Sequence, residues 1–258
     1  MTLRRLQTTV LPPLAVALVA LGVVEAVVRV GWVASFLVPA PTSVAGAMVQ
    51  RFDPLLQATA QTALGAGAGF LLASVVGVFI AIALSSSKLV QRMFYPYAVF
   101  FQTVPIVAIA PMLVIWFGNS INAVIASAAI VCVFPIIANT LTGLLSTDPA
   151  LVDLFRLYRA GRFSTLLKLR IPFALPSILT GLRVGAGLSV VGAIVGEFIT
   201  TGSGLGGLMT IARQQQRVEL VFAALVLSAV LGIAMFISLN LISNRLLRHW
   251  HASESATS

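Results

Sequence analysis

The 258-residue sequence is 59% hydrophobic and only 9% charged, against roughly a quarter charged in an average soluble domain. That deficit excludes an ordinary soluble globule and makes lipid the solvent for most of the chain. The formal charge of +9 does not point to nucleic acid, because Lys and Arg sit in short loops between apolar runs, where the orientation rule of membrane proteins places them.

A membrane helix needs about 20 mostly apolar residues, and six runs of that kind occur. Arg4 and Arg5 precede the first, near 12–33. Pro12 and Pro13 break its start, and Glu25 and Arg29 follow, so an uncleaved membrane helix is expected rather than a signal peptide. The second run covers Ala60 to Leu84. Within it, Gly65 and Gly69 have the four-residue spacing of close helix contact.

The third run spans Tyr95 to Phe117, with Pro105 and Pro111 inside it. Gln102 and Thr103 stand just before Pro105. A proline frees a backbone carbonyl that polar neighbours satisfy, so this stretch is a candidate translocation path, with helix packing as the alternative. The fourth run, Ile121 to Leu145, carries Asn139 and Thr140, which have the same two readings. It also carries Cys132, the sole cysteine, so no internal disulfide or cysteine-based zinc site is available.

The fifth run extends from Pro176 to Phe198. Arg183 inside it is read as structural, its charge snorkelling to the inner surface, and Pro105, Pro172 and Pro176 are read as shaping the helices. Glu197, near the run's outer end, is a path candidate because a membrane acid is functional by default; the alternative is an interfacial, capped carboxylate. The glycines from Gly202 to Gly207 lack the Gly-Lys-Ser/Thr ending of a phosphate loop and read as a flexible or re-entrant turn at the outer mouth. The sixth run covers Leu220 to Ile242, followed by a polar tail over 245–258 that holds His249 and His251. With no histidine elsewhere, no metal site and no hydrolytic constellation is expected.

The basic residues set the orientation. Arg4, Arg5, Lys88, Arg92, Arg156, Arg159, Arg162, Lys168, Arg170, Arg245 and Arg248 fall on one side, and Arg29, Arg51, Arg213 and Arg217 on the other: eleven against four. Both termini and the 148–172 insert are therefore expected in the cytoplasm.

The insert has internal order. Asp148-Pro149 is a helix start, with a capping residue before a first-turn proline. Leu151, Leu154, Phe155 and Tyr158 form an apolar face; Arg156, Arg159 and Arg162 point largely away. Gly161 is expected to end this helix, and a second helix from about Ser164 to Arg170 is expected to stop at Ile171-Pro172. On composition alone, an amphipathic helix lying on anionic lipid competes with a protein-docking element.

The spacing resembles a motif of the permease subunits of bacterial binding-protein-dependent ABC importers. That motif reads Glu-Ala-Ala, Gly three residues on, nine residues, then Ile-x-Leu-Pro. With Asp153 at the Glu position, Arg159 takes the Gly position, and Leu169-Arg170-Ile171-Pro172 closes the motif without a gap. Leu154 and Phe155 replace the alanines, and Gly161 comes two residues late. Either the turn is shifted or the docking surface is bulkier. Val38-Pro39-Ala40-Pro41, Val104-Pro105-Ile106, Trp116-Phe117-Gly118 and Gly204-Leu205-Gly206 resemble further family segments, in the branch that includes nitrate, sulfonate, taurine, pyrimidine-precursor and riboflavin permeases.

The resemblance implies a single all-α permease domain over 1–258, with about six membrane helices, the type I importer fold and a cytoplasmic coupling helix. It implies a non-catalytic subunit in the bacterial inner membrane, expected to pair as a homodimer, with a heterodimer of two permeases as the alternative. Asp153, Leu154, Phe155, Arg156, Tyr158, Arg159, Gly161 and Arg162 would meet two cytoplasmic ATPase subunits, which hold the ATP and Mg²⁺. A periplasmic or lipid-anchored binding protein would deliver a small organic anion or heterocycle. The competing classes are an ion-gradient-driven secondary transporter, which would favour intramembrane acids and inverted repeats, and a membrane-embedded enzyme.

Overall fold

The computed structural model describes residues 11–200 and 204–247, and every regular element among them is helical. Arg4, Arg5, Gly202, Ser203, Arg248 and both histidines lie outside the described residues. Helix α1 is Leu11–Arg29, α2 Pro41–Gln50, α3 Phe52–Ser85, α4 Lys88–Thr103 and α5 Ile106–Phe117. Then come α6 (Ile121–Leu145), α7 (Pro149–Leu157), α8 (Arg162–Thr165), a π-helical turn (Leu166–Arg170) and α9 (Ile171–Ile199). The described chain closes with α10 (Gly204–Gln214) and α11 (Val218–Leu247). Five rods are long and apolar enough to cross a bilayer: α1, α3, α6, α11 and the continuous rod Arg162–Ile199.

The centre of the bundle is α6 held between α3 and α9. Lipid tails are as apolar as leucine, so membrane helices associate by close packing rather than by hydrophobic expulsion. Small residues supply that closeness. A Cβ built on Gly69 would come within 2.7 Å of the Ile125 carbonyl oxygen, and one on Gly77 within 3.0 Å of Ile136. On the opposite flank of α6, a Cβ on Gly192 would meet Ala128 at 2.7 Å and one on Gly181 would meet Asn139 at 2.9 Å. The contacts of Gly65, Gly69 and Gly77 advance along α6 in the same direction as along α3, so these helices run parallel. Those of Gly181, Gly185, Gly192 and Gly196 recede, so α9 runs antiparallel. Ser127 adds one interhelical bond, donating to the Gly192 carbonyl at 2.7 Å.

Helix α11 packs along α9, with Leu231 and Met235 against Val190 and Ala193. At the end of the bundle remote from the insert, α10 fills a corner with Leu205, Met209 and Ala212 against Leu55, Leu220 and Ala223. Helix α1 stays peripheral. Its Glu25 accepts from the Thr42 backbone N–H at 3.1 Å and the Thr42 hydroxyl at 2.8 Å, tying α1 to the first turn of α2.

Three sequence expectations are corrected. The run from Tyr95 to Phe117 is not one helix: it breaks at Val104, which is extended (φ −72°, ψ 123°), and restarts after Pro105. Pro105 disfavours the helical conformation for the residue before it and offers no N–H to the ladder. The second insert helix does not stop at Ile171-Pro172. The Ile171 N–H bonds back to the Leu166 carbonyl, a π turn that carries the rod past Pro172 and Pro176 into α9. The segment read as an outer turn becomes the regular helix α10 from Gly204 onward.

Candidate functional site

The insert begins as its sequence dictates. The Asp148 carboxylate accepts from the Ala150 N–H at 2.8 Å, and Pro149 occupies the first turn. Helix α7 then ends at Leu157, not at Gly161. The Ala160 N–H bonds to the Phe155 carbonyl and the Arg159 N–H to that of Arg156, both at 2.9 Å. This is a Schellman stop, and its left-handed residue is Arg159, at φ 51°. Gly161, at φ −64°, instead caps the start of α8. The turn therefore falls at Arg159, two residues before Gly161.

No residue of α7 is buried. Leu157 is 81% exposed and Tyr158 80%. Of the expected anchoring face, Phe155 is partly buried, whereas Leu151, Leu154 and Tyr158 are exposed. The apolar residues thus point outward as well as inward, interleaved with exposed Arg156, Arg159 and Arg162. Asp153 pairs with Arg156 at 2.9 Å across one helical turn. On the body side, Arg170 reaches the Ser85 carbonyl at 3.4 Å, linking the insert to the end of α3.

The polar residues of the membrane runs separate into different settings. Gln102 and Thr103 are exposed at the end of α4, beside the break, and the Thr103 hydroxyl donates to the Phe100 carbonyl. Asn139 donates to the Pro135 carbonyl of its own helix at 2.8 Å. Thr140 is fully buried, and its hydroxyl has no hydrogen-bond partner among the described residues. Arg183 does not extend along the rod to a surface. One of its terminal nitrogens donates to the Ser243 hydroxyl of α11. Ser243 is 0% exposed, so this contact lies inside the bundle.

Glu197 is 2% exposed. Its Oε2 accepts from the Gly206 N–H at 2.9 Å and from the Thr62 hydroxyl at 3.0 Å. Gln61 and Thr62, which sequence reasoning did not single out, complete the same corner. Gln61 accepts from the Gly204 N–H and Thr62 from the Leu205 N–H, both at 2.8 Å. Their one sequence signal is an adjacent polar pair at the head of an apolar run. Nearby, a cavity of about 480 Å³ opens between α2 and the start of α11, lined in part by Ser43, Gln50, Arg51, Arg217 and Glu219.

Comparison with known proteins agrees with this arrangement. A family model described as the inner membrane component of binding-protein-dependent transport systems matches residues 73–249. A probable ABC transporter permease protein of Haemophilus influenzae is 32% identical over 235 residues, covering 91% of this chain and 96% of that relative. The formylaminopyrimidine transport permease protein ThiX of Halalkalibacterium halodurans is 36% identical, covering 69% of this chain and 72% of its own. In fold, the chain resembles a chain of the MetNI methionine ABC transporter in an inward-facing conformation, with a TM-score of 0.61 at 18% identity, over 77% of this chain and 97% of that one. The chain belongs to the family of binding-protein-dependent transport system inner membrane components, as a multi-pass permease subunit of the type I ABC importer branch.

Proposed function

We propose that this permease forms a homodimer that passes a small organic anion or heterocyclic nutrient into the cytoplasm, driven by two ATPase subunits seated on the inserts. The observation that carries this reading is the insert itself. A short, doubly capped helix and the turn after it present Leu157, Tyr158, Arg156, Arg159 and Arg162, which their own chain leaves uncovered. Exposed apolar groups ringed by charge suit a protein groove. ATP and Mg²⁺ belong to the partner ATPase. The eleven-to-four distribution of basic residues supports a cytoplasmic insert and cytoplasmic termini. The substrate class follows relatives named for formylaminopyrimidine, riboflavin, aliphatic sulfonates and taurine. A separate binding protein on the opposite face would make the choice among such compounds. Gln102 and Thr103, exposed at the helix break, are the path residues this reading favours.

The test is affinity purification of the tagged chain from native membranes, with mass identification of what accompanies it. A stoichiometric ATPase subunit supports the reading, and its loss from an Arg156→Glu/Arg159→Glu variant that still folds assigns the contact to the insert. Recovery of the chain alone, with gradient-driven uptake in vesicles, would overturn it in favour of a secondary transporter.

A further inference from the structure

The first N–H groups of any helix lack partners within that helix. In α10, three consecutive ones, from Gly204, Leu205 and Gly206, are met by side chains from other helices: Gln61 and Thr62 of α3 and Glu197 of α9. A carboxylate also suits the positive end of a helix. The glycines fit this socket and little else would. Gly204 is left-handed (φ 69°), and a Cβ there would collide with the Glu197 carboxylate. A Cβ on Gly206 would lie 2.7 Å from the Ile194 carbonyl oxygen and 2.8 Å from the Glu197 Cβ.

We propose that Glu197, with Gln61 and Thr62, is the positioning socket for α10, and that its part in transport is to dock this helix rather than to touch cargo. The socket fixes where α10 begins, and the apolar corner of Leu205, Met209 and Ala212 then closes on Leu55 and Ala223. Without the socket, α10 retains only this apolar contact, and three N–H groups lose their acceptors beneath buried glycines.

The test uses the full chain in detergent, with Met209→Cys as reporter and native Cys132, buried on α6 between α3 and α9, as the control for global folding. Maleimide labelling is read for each cysteine separately by peptide mass spectrometry. In the parent both are expected to label slowly, since Met209 and Cys132 are buried. Glu197→Leu is expected to speed labelling at position 209 by about tenfold, the equivalent of about one lost buried hydrogen bond, with Cys132 unchanged. Glu197→Gln, which keeps an acceptor for the Gly206 N–H, is expected to restore protection.

Parent-like protection in Glu197→Leu overturns the proposal, as does Glu197→Gln labelling as fast as Glu197→Leu. If Glu197→Leu exposes both cysteines, Thr62→Val decides: selective labelling at 209 supports the socket, and full protection overturns it. The measurement needs neither cargo nor ATPase, so its failure is separable from failure of the proposed transport function.

Discussion

Arg159 holds the left-handed turn that stops the insert helix, and Gly161, two residues later, holds an ordinary backbone conformation at the start of the next. The residue type best suited to the turn is thus displaced from it. A non-glycine residue in this region costs about 1–2 kcal/mol, more if it is β-branched. A Cβ added to Gly161 would meet nothing within 4 Å. Gly161→Ala should therefore leave ATPase association and uptake within about twofold of the parent, well inside 1 kcal/mol. Arg159→Val should weaken association at least about tenfold through the turn. Arg159→Gly should recover the turn geometry while losing one charge. Binding titration of the three variants in detergent checks the order; a stronger effect from Gly161→Ala would mean the turn lies there instead.

The exposed pair Leu157 and Tyr158 stands at the C-terminal end of α7. Aromatic and aliphatic anchors that enter a partner's pocket commonly contribute about 2 kcal/mol or more, whereas rim charges contribute little. Leu157→Ser with Tyr158→Ser should lower ATPase affinity by about thirtyfold, following that energy. Asp153→Asn, which only breaks an exposed ion pair with Arg156, should change it by less than about threefold. Equal losses from the two would mean that the insert docks by charge.

Much of the fold was legible in the sequence because lipid imposes length and apolarity on each span. The glycines of α3 announced close packing by spacing alone. The break at Val104 was written in Pro105, yet a continuous apolar run conceals such a break, since apolarity is the same on both sides of it. The continuation through Pro172 could not be read locally, because a π turn depends on the Leu166 carbonyl rather than on the proline. The insert's start was legible from Asp148-Pro149, the capping residue and first-turn proline of α7. The corner around Glu197 was not, because Gln61 and Thr62 meet it across more than half the chain. Burial by tertiary contact has no signature in a short window of sequence.

Packing of the three central helices makes a sharp contrast between neighbouring glycines. A Cβ on Gly69 would lie 2.7 Å from the Ile125 carbonyl oxygen, while one on Gly67 would meet nothing within 4 Å. Gly69→Ala should destabilise the solubilised protein by about 1–3 kcal/mol, because backbone rather than a flexible side chain must move. Gly67→Ala should be neutral or stabilising by about 0.5–1 kcal/mol, since it restricts the unfolded chain without a clash. Thermal unfolding of both variants in one detergent gives the comparison. Similar melting shifts would show that α3 and α6 are not in contact along this face.

Arg183 and Ser243 join α9 to α11 inside the bundle. The Arg183 Nε is buried and has no hydrogen-bond partner among the described residues, so the guanidinium depends heavily on the serine hydroxyl. Removing that acceptor strands a further donor of a half-buried guanidinium, at a cost of about 1–3 kcal/mol. Ser243→Ala should therefore lower stability by that amount in the parent. In an Arg183→Met background the same change should have little effect, since no donor is left stranded. The resulting double-mutant coupling isolates the pair from the general loss of packing. An Arg183 that snorkelled to the membrane surface would instead make Ser243→Ala silent in both backgrounds, and unfolding of the four variants distinguishes the two placements directly.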